Sequence, residues 1–218
     1  FLWTDGRYFL QAQQQLAQST IELMKSGQPG VPALEEYLAE HLKDGDRVGF
    51  DVRTVTKAFV EKLQDKTADK QITFYSREDL ADLVWTDRPA LSAEPVWELE
   101  EAFAGLSREE KLDKVREKMQ AQKADALLLT ALDEIAWLLN LRGNDVHHTP
   151  VFLAYMLLTK TEAVLCVQEK ILSAEIRDKL KKAGVSTLPY EQIEELVCGL
   201  QTGQKLWVDG RRVNYRLL

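Results

Sequence analysis

The sequence predicts an α/β fold organised as two consecutive units. Three observations carry that prediction. Short strand-like runs alternate with stretches whose apolar residues recur at helical spacing. The segment Pro89 to Pro95 interrupts this alternation with a proline-bounded linker. The chain has 218 residues, 45% of them apolar and 29% charged, enough for one large or two small packed cores under a solvated surface.

In the first unit, Phe1-Leu2-Trp3 reads as the end of a strand and Asp5-Gly6 as a turn. Nothing precedes this strand to pair with it, so the chain reads as a fragment. Arg7 to Lys25 is predicted helical, with Phe9, Leu10, Leu16, Leu23 and Met24 approximating a stripe and Gln13-Gln14-Gln15 making a polar side. Gly27, Pro29, Gly30 and Pro32 break the chain. Leu34, Tyr37, Leu38 and Leu42 fall on one face of a short helix, which Asp44-Gly45 stops. Val48, Phe50 and Val52 alternate as in a strand. Val55, Phe59 and Leu63 restore the helical period. Ile72 to Tyr75 is a second strand, and Ser76 with Asp79 forms a capping-box pattern opening a helix through Leu80, Leu83 and Val84.

In the second unit, Ser107 with Glu110 is a clear capping box, and Leu112, Val115 and Met119 continue the helix. Ala126 to Leu129 is a short apolar strand. Leu132 to Leu139 is a partly buried helix, and Asn140 to Thr149 a polar loop. Val151 to Leu158 and Ala163 to Val167 are strands joined by the turn Thr159 to Glu162. Ser173 caps a helix from Ala174 to Ala183 that ends in lysines and Gly184. Val185 to Leu188 is a strand, Glu191 to Leu200 a helix and Leu206 to Val208 the last strand. No tandem sequence repeat is evident, although the two units could share a fold.

Charge and motifs exclude several functions. With 28 basic against 35 acidic residues, the net charge of −7 argues against nucleic acid and against polybasic membrane attachment. No apolar run approaches the roughly 18 residues of a spanning helix. The two cysteines, Cys166 and Cys198, cannot build a disulfide framework and read as buried free thiols of a reducing cytoplasm. Phosphate-cradling glycine loops and the serine-hydrolase elbow are absent. His41, His147 and His148 show no metal-ligand spacing, so no metal site is expected on this chain. Asp133, three residues after Thr130, suits helix capping better than acid–base catalysis.

Two places retain functional interest on chemistry alone. Arg7, beside the Asp5-Gly6 turn, is either a surface arginine or a guanidinium aimed at a carboxylate or peptide carbonyl. Arg142-Gly143-Asn144-Asp145 is either a simple turn or the rim of a cleft.

Three segments in order then resemble a known family. They are Trp3-Thr4-Asp5-Gly6-Arg7-Tyr8-Phe9-Leu10-Gln11-Ala12, Val84-Trp85-Thr86-Asp87-Arg88-Pro89, and Ala131 to Val146 (reading Ala-Leu-Asp-Glu-Ile-Ala-Trp-Leu-Leu-Asn-Leu-Arg-Gly-Asn-Asp-Val), with Pro150-Val151-Phe152 close behind. Their order and spacing are similar to those of the three-domain Xaa-Pro aminopeptidases of the creatinase/prolidase group. That resemblance implies two creatinase N-terminal-like domains with mixed sheets flanked by helices. Residues 1–93 would be the later part of the first domain and residues 94–218 the second.

The same resemblance implies chemistry that lies elsewhere. The family removes an N-terminal residue preceding proline with two divalent metal ions, usually manganese, held by two Asp, one His and two Glu of a C-terminal pita-bread domain. No segment here matches those ligands, so this chain alone is expected to be inactive. Its implied partners are a peptide with proline second, its own catalytic domain and a second copy in a homodimer, all in the cytoplasm. Arg7 matches an arginine that looks substrate-facing in the family. Arg142 and His148 fall in the matching loop as cleft-mouth, substrate-binding candidates, and His147 stands where an acidic residue is expected. The competing expectation is a non-enzymatic binding module, since creatinase-like domains also resemble part of certain histone chaperones and an acidic chain attracts basic partners.

Overall fold

A computed structural model describes residues 1–76 and 81–218, and two compact units emerge, Phe1–Leu80 and Ala81–Leu218. The first unit runs β1 (Leu2–Thr4), α1 (Phe9–Leu16), β2 (Leu23–Lys25), α2 (Leu34–His41), β3 (Arg47–Phe50), α3 (Lys57–Lys66) and β4 (Thr73–Ser76). Strands β1 and β2 pair in parallel, as do β3 and β4. Thr56 caps α3 by accepting from the Phe59 amide. Trp3 packs edge-on against Tyr37 and donates its indole N–H to the Pro32 carbonyl at 2.9 Å, tying β1 to the start of α2.

The helix expected from Arg7 to Lys25 is shorter than its pattern suggested. α1 stops at Leu16, where the Ser19 hydroxyl donates to the Leu16 carbonyl and accepts the Ile21 amide. Such local bonding competes with helix continuation. Leu23 to Lys25 then become the partner that β1 needs, so that strand is paired by a following segment. The capping pattern of Ser76 with Asp79 involves residues outside those described. Leu83 and Val84, assigned to its helix, lie in an exposed turn.

The second unit holds most of the buried apolar surface. Its elements are β5 (Trp97–Glu98), α4 (Glu101–Ala104), α5 (Arg108–Ala121), β6 (Ala126–Leu129), α6 (Leu132–Leu139), β7 (Leu141–Arg142), β8 (Ala154–Thr159), β9 (Ala163–Val167), α7 (Ala174–Lys182), β10 (Val185–Pro189), α8 (Ile193–Cys198) and β11 (Leu206–Trp207). Five strands form one sheet in the order β10-β9-β8-β6-β11. The outer pairs are parallel, and β8 runs antiparallel to both of its neighbours. The sheet is therefore mixed.

Strand alternation sorts its side chains between two cores. Leu127, Met156, Leu158 and Leu165 pack with Leu112 and Met119 of α5, Ile135 and Leu139 of α6, and Ile176 and Leu180 of α7. Ala126, Leu128, Leu157 and Cys166 face Ile193 of α8, Val213 and Leu217. Strands buried on both faces read as continuous apolar runs, as Ala126 to Leu129 and Ala163 to Val167 do.

The order β–α–β–α–β recurs in the two units. A parallel strand pair spanned by one helix (β1-α1-β2, β9-α7-β10) leads through a second helix (α2, α8) to a further strand (β3, β11). Each of those last strands ends in an Asp-x-Arg turn in which the Asp carboxylate accepts both the Arg amide and its guanidinium: Asp51 with Arg53, and Asp209 with Arg211.

Several boundaries shift from the sequence reading. The strand expected from Val151 begins at Ala154, although Val151 and Phe152 are buried. The polar loop begins with β7, which pairs antiparallel with β5. The last helix opens as a 3₁₀ turn at Tyr190–Gln192. Cys166 is buried, and desolvation pushes its thiol up to about 11. Cys198 is exposed, contrary to expectation, because it lies on the outward side of α8 while Ile193 faces the sheet.

One ionic cluster joins separate elements. Glu98 of β5 accepts from Arg108 of α5 and, at 2.6 Å, from Lys179 of α7. Burial pushes the Glu98 carboxyl up, but Lys179 and Arg108 more than offset this and hold it below its ordinary value. A depressed carboxylate stabilises the fold above its unfolded pKa, because the unfolded chain binds more protons between the two values. That stability is lost as pH falls through the folded pKa. Glu98→Gln should cost about 2 kcal/mol at neutral pH and flatten the decline of stability below pH about 4.5; urea melts across that range check both. Gly143 gives a second expectation. A Cβ there would lie 2.7 Å from the Phe152 Cβ and 3.0 Å from the Val151 carbonyl oxygen. Gly143→Ala should destabilise by roughly 1–3 kcal/mol in the same melts, and an unchanged midpoint would show that the loop yields freely.

Candidate functional site

The sequence-nominated residues fall in two places, one in each unit. Arg7 follows β1 in a tight turn. Asp5 accepts the Arg7 amide at 3.0 Å and receives the guanidinium as a fork, Nε at 3.0 Å and Nη2 at 2.7 Å. The guanidinium side-chain bond, then the amide bond, hold the Asp5 carboxyl down at about 2, so the pair stays ionic over the working range of most proteins. The Arg7 side chain remains 80% exposed. It is an ion-paired guanidinium presented to solvent, with donors left that suit a carboxylate or a carbonyl.

Arg142 and His148 lie at the root and the tip of the loop between α6 and β8. α6 follows Ala131, which supplies no side-chain cap. The expected capping role of Asp133 is not realised, because Thr130 is not the cap residue; Asp133 pairs instead with Arg212 at 3.4 Å. At the other end, Asn140 takes the left-handed conformation with φ 53° and closes the helix. Arg142 then turns back. Its Nη1 donates to the carbonyls of Ala136 at 2.7 Å and Leu141 at 2.8 Å, so its charge sits at the negative end of α6. The guanidinium predicted at the cleft mouth is thus engaged with backbone.

The loop beyond it is pinned by Asp145. Its carboxylate accepts the amides of Leu153 at 2.8 Å and Glu94 at 3.2 Å, and its own amide donates to the Val151 carbonyl. Val146 and Thr149 bridge across a two-residue turn holding His147 and His148. His148 has φ 61°, a conformation in which His is among the better-tolerated non-glycine residues. Both imidazoles are exposed, with ring centroids 6.1 Å apart. His41 behaves differently: it stacks on Tyr37 and bonds its carbonyl, a surface role.

A groove unseen in the sequence adjoins this turn. Val146, Thr149 and Val151 of the loop, with Thr130 to Asp133 and Arg212, line a depression of about 530 Å³. It continues past Thr130, Ala131 and Arg212 into a second of about 480 Å³, floored by Val115, Leu127, Leu129 and Trp207. Arg212 lay outside every motif, and only the position of β11 beside β6 brings it here. Among the described residues no group of three or more His, Cys, Asp or Glu side chains could hold a metal ion. The ligand set of a two-metal centre therefore does not fit the described side chains. No helix among the described residues is long and apolar enough to cross a membrane.

Comparison with known proteins agrees with this architecture. Residues 1–83 and 87–218 each match a family described as the creatinase/prolidase N-terminal domain. A probable Xaa-Pro aminopeptidase P of Coprinopsis cinerea is 40% identical over 97% of this chain and 35% of its own length. Xaa-Pro aminopeptidase 1 of Dictyostelium discoideum is 34% identical over 96% of this chain and 35% of its own. An X-prolyl aminopeptidase of Caenorhabditis elegans, described as a cytosolic enzyme with a di-nuclear active site, superposes with a TM-score of 0.90 at 31% identity, covering 99% of this chain and 36% of that one. The chain thus spans about a third of the length of the relatives it matches. It belongs to the creatinase/prolidase N-terminal-domain family, with one such domain matched in each of its two units.

Proposed function

We propose that this chain is the non-catalytic N-terminal region of an Xaa-Pro aminopeptidase, where it shapes and gates the cleft that receives the peptide. The observation that carries this reading is the superposition of nearly the whole chain on one third of an X-prolyl aminopeptidase. The reaction of the whole protein is removal of an N-terminal residue preceding proline. Two divalent metal ions, manganese by the family resemblance, belong to the C-terminal catalytic part. The whole protein works as a cytosolic homodimer on this reading.

Two features support a part in substrate handling. Arg7 is a solvent-facing guanidinium that its carboxylate partner orients through two bonds, which suits a group that holds a peptide in one pose. The His147-His148 turn is braced at its base by Asp145 and exposed at its tip, which suits a rim that limits access to unstructured peptide ends. Arg142 contributes at one remove, by fixing the root of that rim.

The test is hydrolysis of an Xaa-Pro tripeptide with added manganese, by this chain and by the same chain extended through a C-terminal catalytic part. Only the extended protein should be active. In it, Arg7→Ala should lower kcat/KM about tenfold with unchanged thermal stability, since the side chain is exposed. Hydrolysis by the short chain would overturn the non-catalytic assignment. Inactivity of both, with recovery of a basic protein partner, would favour the binding module instead.

A further inference from the structure

Lys111 is a lysine where a lysine is costly. It lies on α5 facing α6 and is 1% exposed, one of the largest fully buried side chains. Its ammonium donates to the Trp137 carbonyl at 2.9 Å and to the Asn140 Oδ1 at 2.5 Å, and lies 4.7 Å from the centre of the Trp137 ring. Among the described residues no carboxylate pairs with it. Burial, with the nearby Arg142 charge, pulls its pKa below the ordinary lysine value. Its countercharge is therefore the carbonyl end of α6, the face of an aromatic ring and an amide oxygen.

Those partners share one consequence. Trp137 and Asn140 form the last turn and left-handed cap of α6. Asn140 also donates its Nδ2 to the Leu106 carbonyl at 2.8 Å, fastening the cap to the segment before α5. Arg142 bonds the Ala136 carbonyl of the same turn. Gly143, packed against Phe152, follows directly, and then Asp145 and the histidine turn. Lys111 thus holds the last turn and the cap of α6 from which the loop departs, while Arg142, Gly143 and Asp145 fix the loop further along through partners of their own.

We propose that Lys111 is a positioning residue for the loop 143–150, acting through the C-terminal cap of α6 to fix where His148 is presented. This rests on the reading that the loop borders the peptide cleft. Lys111 need not touch the peptide. Methionine, of similar length and apolar, would pack in its place but leave the Trp137 carbonyl and the Asn140 amide oxygen without their donor.

The test uses the full-length polypeptide and two readouts. The first is hydrogen exchange at the Asp145 and Leu153 amides, which report loop anchoring, against the β8 and β9 ladder. Lys111→Met should speed the loop amides by more than about tenfold and leave the ladder nearly unchanged. The second is kcat and KM for an Xaa-Pro tripeptide. Lys111→Met and His148→Ala should each lower kcat/KM by roughly tenfold, mainly through KM, and the double variant should be no worse than His148→Ala alone. Should Lys111→Met fail to fold, Asn140→Gly keeps the left-handed backbone, removes the amide, and should give the same pattern. Unchanged loop exchange, or effects that multiply in the double variant, would overturn the role of Lys111. Faster loop exchange with full activity in both single variants would leave Lys111 as the anchor and overturn the placement of this loop at the cleft.

Discussion

The second unit depends on how the carbonyl end of α6 is satisfied. A helix leaves its last carbonyls without partners, and α6 ends in the interior beside α5. Leu139, Asn140 and Leu141 are buried there, and the donors come from side chains and from the Leu99 amide, which donates to the Asn140 carbonyl at 2.8 Å. Lys111 and Arg142 bring two positive charges to this helix end, and Asn140 turns the backbone sharply enough for β7 to leave antiparallel to β5. Two cations so close would repel in isolation. They are tolerated because each is bonded to carbonyl oxygen at the negative pole of the same helix. In the first unit Lys70 does similar work at the end of α2, donating to the carbonyls of Ala39 and Leu42.

From that end the constraint spreads by direct bonding. β7 holds β5, and β5 carries Glu98, which binds both Arg108 at the start of α5 and Lys179 on α7. The three helices covering one face of the sheet are thereby cross-linked by polar groups at the rim, while Leu112, Ile135 and Leu180 fill the space between them. The apolar core supplies most of the favourable free energy and, being close-packed, also resists slides of one helix past another. The polar rim adds directional contacts, in which Lys111, Arg142 and Lys179 each meet two acceptors. Register of the helices on the sheet is therefore set by both, the core through shape and the rim through the direction of its bonds.

Much of this was legible in the sequence, and the pattern of success has a physical basis. The box Ser107/Glu110 and the Ser173 cap are local, so their residues sit where spacing placed them. The strands Ala126 to Leu129 and Ala163 to Val167 are buried on both faces and could only read as apolar runs. The failures came where a distant partner decided. Leu23 to Lys25 had too few residues to declare themselves a strand, and pairing with β1 settled it. Asp133 stood at capping distance from Thr130, but the helix began one residue later and Arg212, far along the chain, took the carboxylate. Lys111 carried no signal at all: within a helix rich in Glu and Lys it resembled every other surface lysine. A single buried cation in a charged helix cannot be recognised until the helix it faces is known.

The Asp-x-Arg fork that holds Arg7 recurs twice more in the chain. The same fork closes β3 at Asp51 and Arg53 and β11 at Asp209 and Arg211. It is thus a way of ending a strand in this fold, and its stability needs no substrate to account for it. What the fork does provide is a guanidinium already bonded in one pose, so a ligand that meets it in that pose would lose less entropy than one ordering a free arginine. Selection could then recruit any of the three without altering the backbone, and which is recruited depends only on what each turn faces in the whole protein. The resemblance to Xaa-Pro aminopeptidases singles out Arg7, whereas Arg212, next to the third fork, already borders a groove within its own unit. A common turn thus becomes a site by placement.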